Sequence, residues 1–201
     1  MSPDVRLAER ANAFAQHHDG WEDAARAYAH LSEPLFIAGL ALLAIIGLLM
    51  HRPRVLSASV LAVVASGGAV AVAAVLARVV NRPRPFVAHP QIHAFLAHAP
   101  DPGFPSDHAT AAFAIAAVLL LRLGRWALPV LFAAAALAIS RVLVGVHYPD
   151  DMLAGALLGT AAAVLVCLVA ARVPWPFDRA YLLAHASLAR AMVKRCGSGV
   201  P

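Results

Sequence analysis

Residues 105–152 read PSDHATAAFAIAAVLLLRLGRWALPVLFAAAALAISRVLVGVHYPDDM, and the reading of this stretch decides the architecture. Its apolar runs, 109–121 and 127–139, are each short for a membrane span, which takes about 20 residues with a range of about 17–25. The first reaches spanning length if a helix starts near Ser106 and ends at Arg122, and the second does so if extended toward Val146. Both extensions carry a polar cluster onto a helix end. Pro105-Ser106-Asp107-His108 falls at the start of one helix, and Ser140-Arg141, followed by His147 and Asp151, falls between the next two.

Further apolar runs lie at about 34–50, 55–77 and 152–171, so the chain is expected to be an all-α integral membrane protein with about five transmembrane helices. Composition agrees: 61% of the 201 residues are hydrophobic and 13% charged, against about 25% charged in a soluble domain. Residues 1–33 carry six acids and three arginines and lack a continuous apolar core, which predicts no cleavable signal peptide. Residues 4–30 and about 178–195 are amphipathic and are expected to form interfacial helices. The expected organisation is an N-terminal amphipathic segment (1–33), a transmembrane domain (34–172) with an outer loop at 78–107, and a basic tail (173–201). Cys167 lies in an apolar run and Cys196 in the tail, so no disulfide framework is suggested. The net charge of +5 is scattered over membrane loops, which points to a membrane and to lipid headgroups or phosphates as partners, not nucleic acid.

Loop charge sets an expected orientation, because arginine and lysine in short loops mark the cytoplasmic side. His51-Arg52-Pro53-Arg54, then Arg122 and Arg125, then Arg172, Arg179, Arg190, Lys194 and Arg195 all fall on one side of a five-span chain. That side, with the C-terminus, is expected in the cytoplasm of a cell-membrane protein. The loops at about 78–107 and 142–151 then face outward together. The outer loop nevertheless holds Arg78, Arg82 and Arg84, and phosphate binding would account for arginines on the disfavoured side. Between Asn81 and Pro105 the chain reads as a long loop carrying a short helix at Ile92 to Leu96.

The polar clusters hold groups suited to an anion. A functional histidine needs a partner that fixes its tautomer, and Asp151, four residues after His147, can reach it if the chain turns helical at Pro149. Asp150 competes for that role but reads better as the helix cap. Arg141 offers a planar fork that matches a phosphoryl group. A helix start at Ser106 points backbone N–H groups at an anion, and His108 beside it could protonate a departing oxygen. In Arg82-Pro83-Arg84-Pro85 the prolines hold both arginines in an extended path facing one polar space. The bland reading of these clusters is helix caps and snorkelling charges. His89, His93 and His98 with Asp101 offer a metal reading, which Pro90 and Pro100 oppose by interrupting any common helix.

These residues resemble the signatures of the type 2 phosphatidic acid phosphatase (PAP2) superfamily, which also includes vanadium-dependent haloperoxidases. The resemblance rests on Arg84-Pro85, on Pro105-Ser106-Asp107-His108, and on Ser140-Arg141 with His147 and Asp151, and it covers about residues 77–151. The family's usual lysine, seven residues before the RP arginine, corresponds to Ala77, and Asp107 replaces the usual glycine. The PSDH form is similar to the undecaprenyl diphosphate phosphatases of the superfamily. The resemblance implies a PAP2/haloperoxidase-like bundle and a metal-independent, cofactor-free phosphatase working through a phosphohistidine. It implies that His147 attacks phosphorus, Asp151 orients it, and His108 protonates the leaving oxygen and then activates water. Arg84, Arg141, Arg82 and Ser106 would hold the phosphate oxygens. A carboxylate beside a dianion is unfavourable unless an arginine pairs with it, so Asp107, read with the phosphate-binding set, is expected to position Arg82 or another outer-loop base.

The substrate expected from that resemblance is a polyprenyl (undecaprenyl) diphosphate. Phosphatidic acid, phosphatidylglycerol phosphate or a glycolipid phosphate are the alternatives. A reading from another class is a non-catalytic protein that binds or transports phospholipid through the same basic pocket.

Overall fold

The computed structural model describes residues 2–172, and the expected C-terminal amphipathic stretch and basic tail lie outside the described residues. Seven α-helices make up the described chain: α1 (Pro3–Gln16), α2 (Asp19–Leu49), α3 (Pro53–Val80), α4 (Pro85–Ala88), α5 (Asp107–Leu123), α6 (Leu128–Leu143) and α7 (Pro149–Arg172). No strand occurs among the described residues. Four stretches are long and apolar enough to cross a bilayer, namely Asp19–Leu49, Pro53–Ala88, Asp107–Leu143 and Pro149–Arg172. The third is broken at Gly124, whose φ of 69° suits glycine, and a 3-10 turn there folds α5 and α6 against each other. The bundle is therefore built from five apolar helices, α2, α3, α5, α6 and α7.

Small residues make the interior. On α3, Ala58, Ala62, Ala65, Ala69 and Ala73 recur every three or four residues and are fully buried, while Val63, Val64, Val72, Val75 and Val79 point outward. Large side chains outside and small ones inside are the pattern of helices that pack closely in lipid. The central helix is α5, packed against α3, α6 and α7. Its approach to α7 is set by Gly155 and Gly159, four residues apart: a Cβ on Gly159 would lie 2.2 Å from the Thr110 carbonyl oxygen, and one on Gly155 would lie 2.7 Å from that of Ser106. The Ser106–His108 end of α5 is thereby drawn against the start of α7.

Two local expectations change. The short helix of the outer loop lies at Pro85–Ala88, because Pro85 presets the first helical turn; Ile92, expected within such a helix, is instead buried against Val5, Ala8 and Tyr148. The N-terminal segment forms α1 and then the first turns of α2, which runs through Pro34 without a break. One face of α1 is buried, through Asp4, Val5, Ala8, Asn12 and Ala15, leaving Leu7 and Phe14 exposed on the other. Asn12, fully buried, donates to the His93 and Leu143 carbonyls and accepts from the His93 N–H, which ties α1 to the outer loop and to the end of α6.

Candidate active site

Four helix ends converge at one end of the bundle, and local sequence explains each. Helix α3 stops at Asn81, whose φ of 47° is the left-handed conformation asparagine tolerates. Arg84 is extended before Pro85, as residues preceding proline are. Ser106 caps α5: its hydroxyl accepts from the Ala109 N–H at 3.4 Å, and its own N–H donates to the Asp151 carbonyl at 3.1 Å. Between α6 and α7, Gly145 turns the chain with φ 77°, where a Cβ would meet the His93 carbonyl oxygen at 2.4 Å. Val144 and Val146 bury against Ala25 and Ala29 of α2 and so anchor the loop that carries His147.

Helix α7 begins at Pro149, as expected, but its start is satisfied by Asp151. The Asp151 carboxylate accepts from the Tyr148 N–H at 2.8 Å, reaching back as the third-position acid of a capping box does. Asp150 is exposed, and its N–H donates to the Asp4 carboxylate at 3.0 Å. Asp151 is fully buried and stands 3.5 Å from His147 Nδ1.

The surroundings of His147 fix its tautomer. Nδ1 lies 3.0 Å from the Gly103 carbonyl oxygen, which can only accept, so Nδ1 carries the hydrogen. Arg84 Nη1 lies 2.9 Å from Nε2 and can only donate, so Nε2 presents its lone pair. His147 is 2% exposed. Burial, then the charges of Arg84 and Arg141, push its pKa well below the ordinary 6.5. The imidazole is therefore neutral, with its free nitrogen on the guanidinium side, the state a nucleophile requires.

Around it stands fixed positive charge. Arg84 donates from Nε to Asp101 at 2.9 Å and from Nη1 to the Val146 carbonyl at 3.1 Å. Burial works to raise the Asp101 pKa, but the hydrogen bond and charge of Arg84 hold it below the usual value. Arg141 is 2% exposed, and its Nε and Nη2 are without a hydrogen-bond partner. A buried guanidinium with open donors is costly unless an anion meets it. His108 Nε2 lies 3.3 Å from a carboxylate oxygen of Glu33 on α2.

A polar pocket of about 80 Å³ is lined by Ala77, Arg84, His98, Asp101, Asp107, His108 and His147. Asp107 and His108 also line an adjoining groove of about 350 Å³, whose walls include Phe36, Ile37, Val70, Ala111, Ala112 and Leu137. An ionic head and a hydrocarbon chain could occupy the two spaces at once, with His108 at the junction. Asp107 faces both openings and is exposed; it makes no pairing with Arg82. Ala77, aligned with the family's usual lysine, sits in the pocket wall, and His98 lies edge-on to His147 with ring centres 6.3 Å apart.

The expected residues do not all meet in this pocket. Arg84, Asp107, His108 and His147 do, with Ser106 capping and Arg141 buried alongside. Arg82, expected on the phosphate, is absent from the pocket lining and donates instead to Asp151 at 3.1 Å and to Asp4, with its guanidinium 4.0 Å from the centre of the Tyr148 ring. The side chains of the metal reading lie apart. His93 bonds Gln16, His89 packs against Tyr148, and His98 sits by Asp101, so no three metal-capable side chains cluster among the described residues. Sequence reasoning missed Gly103, Glu33 and Asp4. Only Gly103 left a signal, in the Pro-Gly pair of the outer loop.

The chain is similar to several known proteins. The undecaprenyl-diphosphatase BcrC of Bacillus subtilis is 45% identical over 71 residues, 35% of this chain and 36% of that protein. The decaprenylphosphoryl-5-phosphoribose phosphatase of Mycobacterium tuberculosis is 39% identical over 127 residues, 63% of this chain and 67% of that one. The chain thus spans about a third of the first relative and two thirds of the second. In fold it resembles the crystal structure of a PAP2-type phosphatidylglycerolphosphate phosphatase from Bacillus subtilis, with a TM-score of 0.64 at 24% identity over 85% of each chain. It also resembles Aquifex aeolicus LpxE, with a TM-score of 0.62 at 20% identity over 83% of this chain and 96% of that one. The PAP2 superfamily model matches residues 55–175, which include every helix end that builds the pocket, and by this match the chain belongs to the PAP2 superfamily.

Proposed function

We propose that the protein is a membrane lipid phosphatase that removes phosphate from a polyprenyl diphosphate through a phosphohistidine at His147. The observation that carries the reading is the pair of open donors on buried Arg141 beside a neutral His147 whose Nε2 lone pair is held on the same side as Arg84. An unpartnered buried cation next to an uncharged nucleophile calls for a phosphoryl group. A protein that merely held a headgroup would have no need of a histidine kept deprotonated.

In the reaction, the phosphoryl group binds between Arg84, Arg141 and the N–H groups at the start of α5. Nε2 of His147 attacks phosphorus, and the bond to the leaving oxygen breaks on the opposite side. The dianion offsets the cationic surroundings of His108, which then holds the proton it passes to that oxygen. Asp151 and the Gly103 carbonyl steady the Nδ1–H as the ring becomes cationic. Water, deprotonated by His108, next attacks the phosphohistidine and releases inorganic phosphate.

The groove beside His108 supports a substrate with a hydrocarbon chain, and Asp107 in the PSDH sequence supports the polyprenyl diphosphate choice. Relatives named for undecaprenyl diphosphate and for a decaprenyl-phosphoryl sugar phosphate favour polyprenyl chains; relatives named as lipid A 1-phosphatases keep other lipid phosphates as the second reading. Away from the site, the α2–α3 and α5–α6 connections and the end of α7 carry Arg52, Arg54, Arg122, Arg125 and Arg172 and no acid, while the site end holds the remaining arginines of the described residues, Arg82, Arg84 and Arg141 among them as parts of the site itself. The positive-inside rule then supports an outward-facing site.

Phosphate release from detergent-solubilised undecaprenyl diphosphate, phosphatidic acid, phosphatidylglycerol phosphate and a glycolipid phosphate tests the reading, with His147→Ala as control. Diphosphate should be preferred and the variant inactive. Equal rates across the panel would remove the polyprenyl diphosphate choice, and parent-level turnover by the variant would remove the enzyme.

A further inference from the structure

Helix α1 precedes the region matched by the family model, yet it reaches the arginine that holds the Asp151 carboxylate. Asp4, in its first turn, is 8% exposed. One carboxylate oxygen of Asp4 accepts from Arg82 Nη2, and the other accepts from the Asp150 N–H at 3.0 Å. Arg82 Nη1 in turn donates to Asp151 at 3.1 Å, and the other Asp151 oxygen faces His147 Nδ1 at 3.5 Å. Three side chains of alternating charge therefore run outward from the neutral His147: Asp151, Arg82, Asp4.

We propose that Asp4 is a positioning residue of the active site, which cancels the charge of Arg82 and so leaves the Asp151 carboxylate free to stabilise His147 when its ring becomes positive. The inference rests on the phosphohistidine reading above. The reason is electrostatic. Asp151 is buried and shared between two cationic partners, Arg82 permanently and the His147 ring during reaction. Without Asp4, the Arg82 guanidinium would act on Asp151 unopposed, and its positive charge would disfavour a second cation on the far side of the same carboxylate. Asp4 touches no wall of the pocket, so its effect falls on the ring's charge and not on substrate binding. A second function of α1 is separable: Asn12 fastens the helix to the outer loop and to the end of α6 without taking part in the charge chain.

The test uses the full chain in detergent micelles, with Asp4→Asn, Asn12→Ala and the double variant Asp4→Asn/Arg82→Gln. Asp4→Asn should lower kcat roughly tenfold, the rate change that about 1.4 kcal/mol of lost transition-state stabilisation produces, with KM little changed. Asn12→Ala should lower the melting temperature but leave the pH–rate profile in place. The double variant should be faster than Asp4→Asn alone, because removing both charges restores the balance at Asp151; a purely structural role for Asp4 would make it slower. Parent kcat in Asp4→Asn, or a double variant no faster than the single one, overturns the proposal. A second readout does not depend on turnover: in 15N-histidine spectra, the His147 titration midpoint should move down in Asp4→Asn relative to the parent. An unmoved midpoint overturns the proposal even if no lipid phosphate proves to be a substrate, while failure of the parent on every lipid phosphate overturns the proposed function alone.

Discussion

Replacing Gly159 by alanine tests whether the close approach of α5 and α7 sets the catalytic geometry. The new Cβ would sit 2.2 Å from the Thr110 carbonyl oxygen and 2.8 Å from the Ala114 nitrogen, both helix backbone that no rotamer change can clear. Restoring ordinary contact, near 3.4 Å, requires the helices to separate by about 1.2 Å at this point, because atoms at contact repel steeply on closer approach. Overpacking of this kind costs about 1–3 kcal/mol. Its functional effect is larger, since the same interface holds Ser106 against Asp151 through a 3.1 Å backbone hydrogen bond. His108 travels with α5, and Asp151 with α7. A misplacement of about 1 Å between reacting groups costs about a hundredfold in rate. The expected result for Gly159→Ala is therefore a folded protein, less heat-stable, whose kcat on its best lipid phosphate falls by roughly two orders of magnitude. The assay is steady-state phosphate release alongside a melting curve in the same detergent. A variant within threefold of the parent in kcat would refute the reasoning, because the helices would then have absorbed the methyl group without moving the site.

Two more predictions follow from the electrostatics of the site. Arg141→Met removes an unpartnered buried cation, so the ligand-free protein should melt higher, by the few degrees that about 1–3 kcal/mol represents in a chain of this size. The same variant should lose about a hundredfold or more in kcat, as sites do when a donor to developing negative charge is removed, and thermal stabilisation by orthovanadate should disappear. For His147, the neutral ring is the active form and its pKa is pushed well below 6.5 by burial and neighbouring cations. Protonation removes the nucleophile only as pH falls through that lowered value. The free-enzyme profile of kcat/KM, corrected for the second ionisation of the substrate phosphate at about pH 6, should thus show no fall toward acid at or above pH 6.5. An acid limb at or above 6.5 would contradict it.

Much of the site was legible because it is written locally. Ser106 and Pro149 mark the helix starts that carry His108 and Asp151, and the four-residue interval from His147 to Asp151 fits one helical turn past a proline. Arg84 is fixed by the prolines on either side of it. What the sequence hides is anything that depends on which segments become neighbours. Arg82 and Arg84 share one dipeptide repeat, yet one faces the pocket and the other faces Asp4. That division follows from the docking of α1, about eighty residues away in sequence. Glu33 likewise reads as an ordinary acid until α2 passes beside α5. Ile92 misled for a different reason: an isolated apolar residue signals burial, and burial against α1 satisfies it as well as a helix of its own would.

Asp150 and Asp151 show the same limit at shorter range. Capping preference favours the acid nearest the helix start, whereas the structure gives Asp151 both the capping bond and the contact to His147. One oxygen can serve both because Tyr148 N–H and His147 Nδ1 lie on the same side of the turn. Coupling the helix start to the histidine in this way makes the position of His147 part of the fold of α7, so substitutions that loosen that first turn should reach the proposed chemistry.

The proposed reaction turns on covalent phosphorylation of His147. Purified protein mixed with lipid substrate carrying radiolabelled phosphate, quenched in alkali and resolved by denaturing electrophoresis, tests it most directly, because phosphohistidine survives base and decays in acid. A base-stable, acid-labile label on the parent, and none on His147→Asn, is the expected result. Turnover by the parent with no trapped label, or a label that persists in His147→Asn, would contradict it.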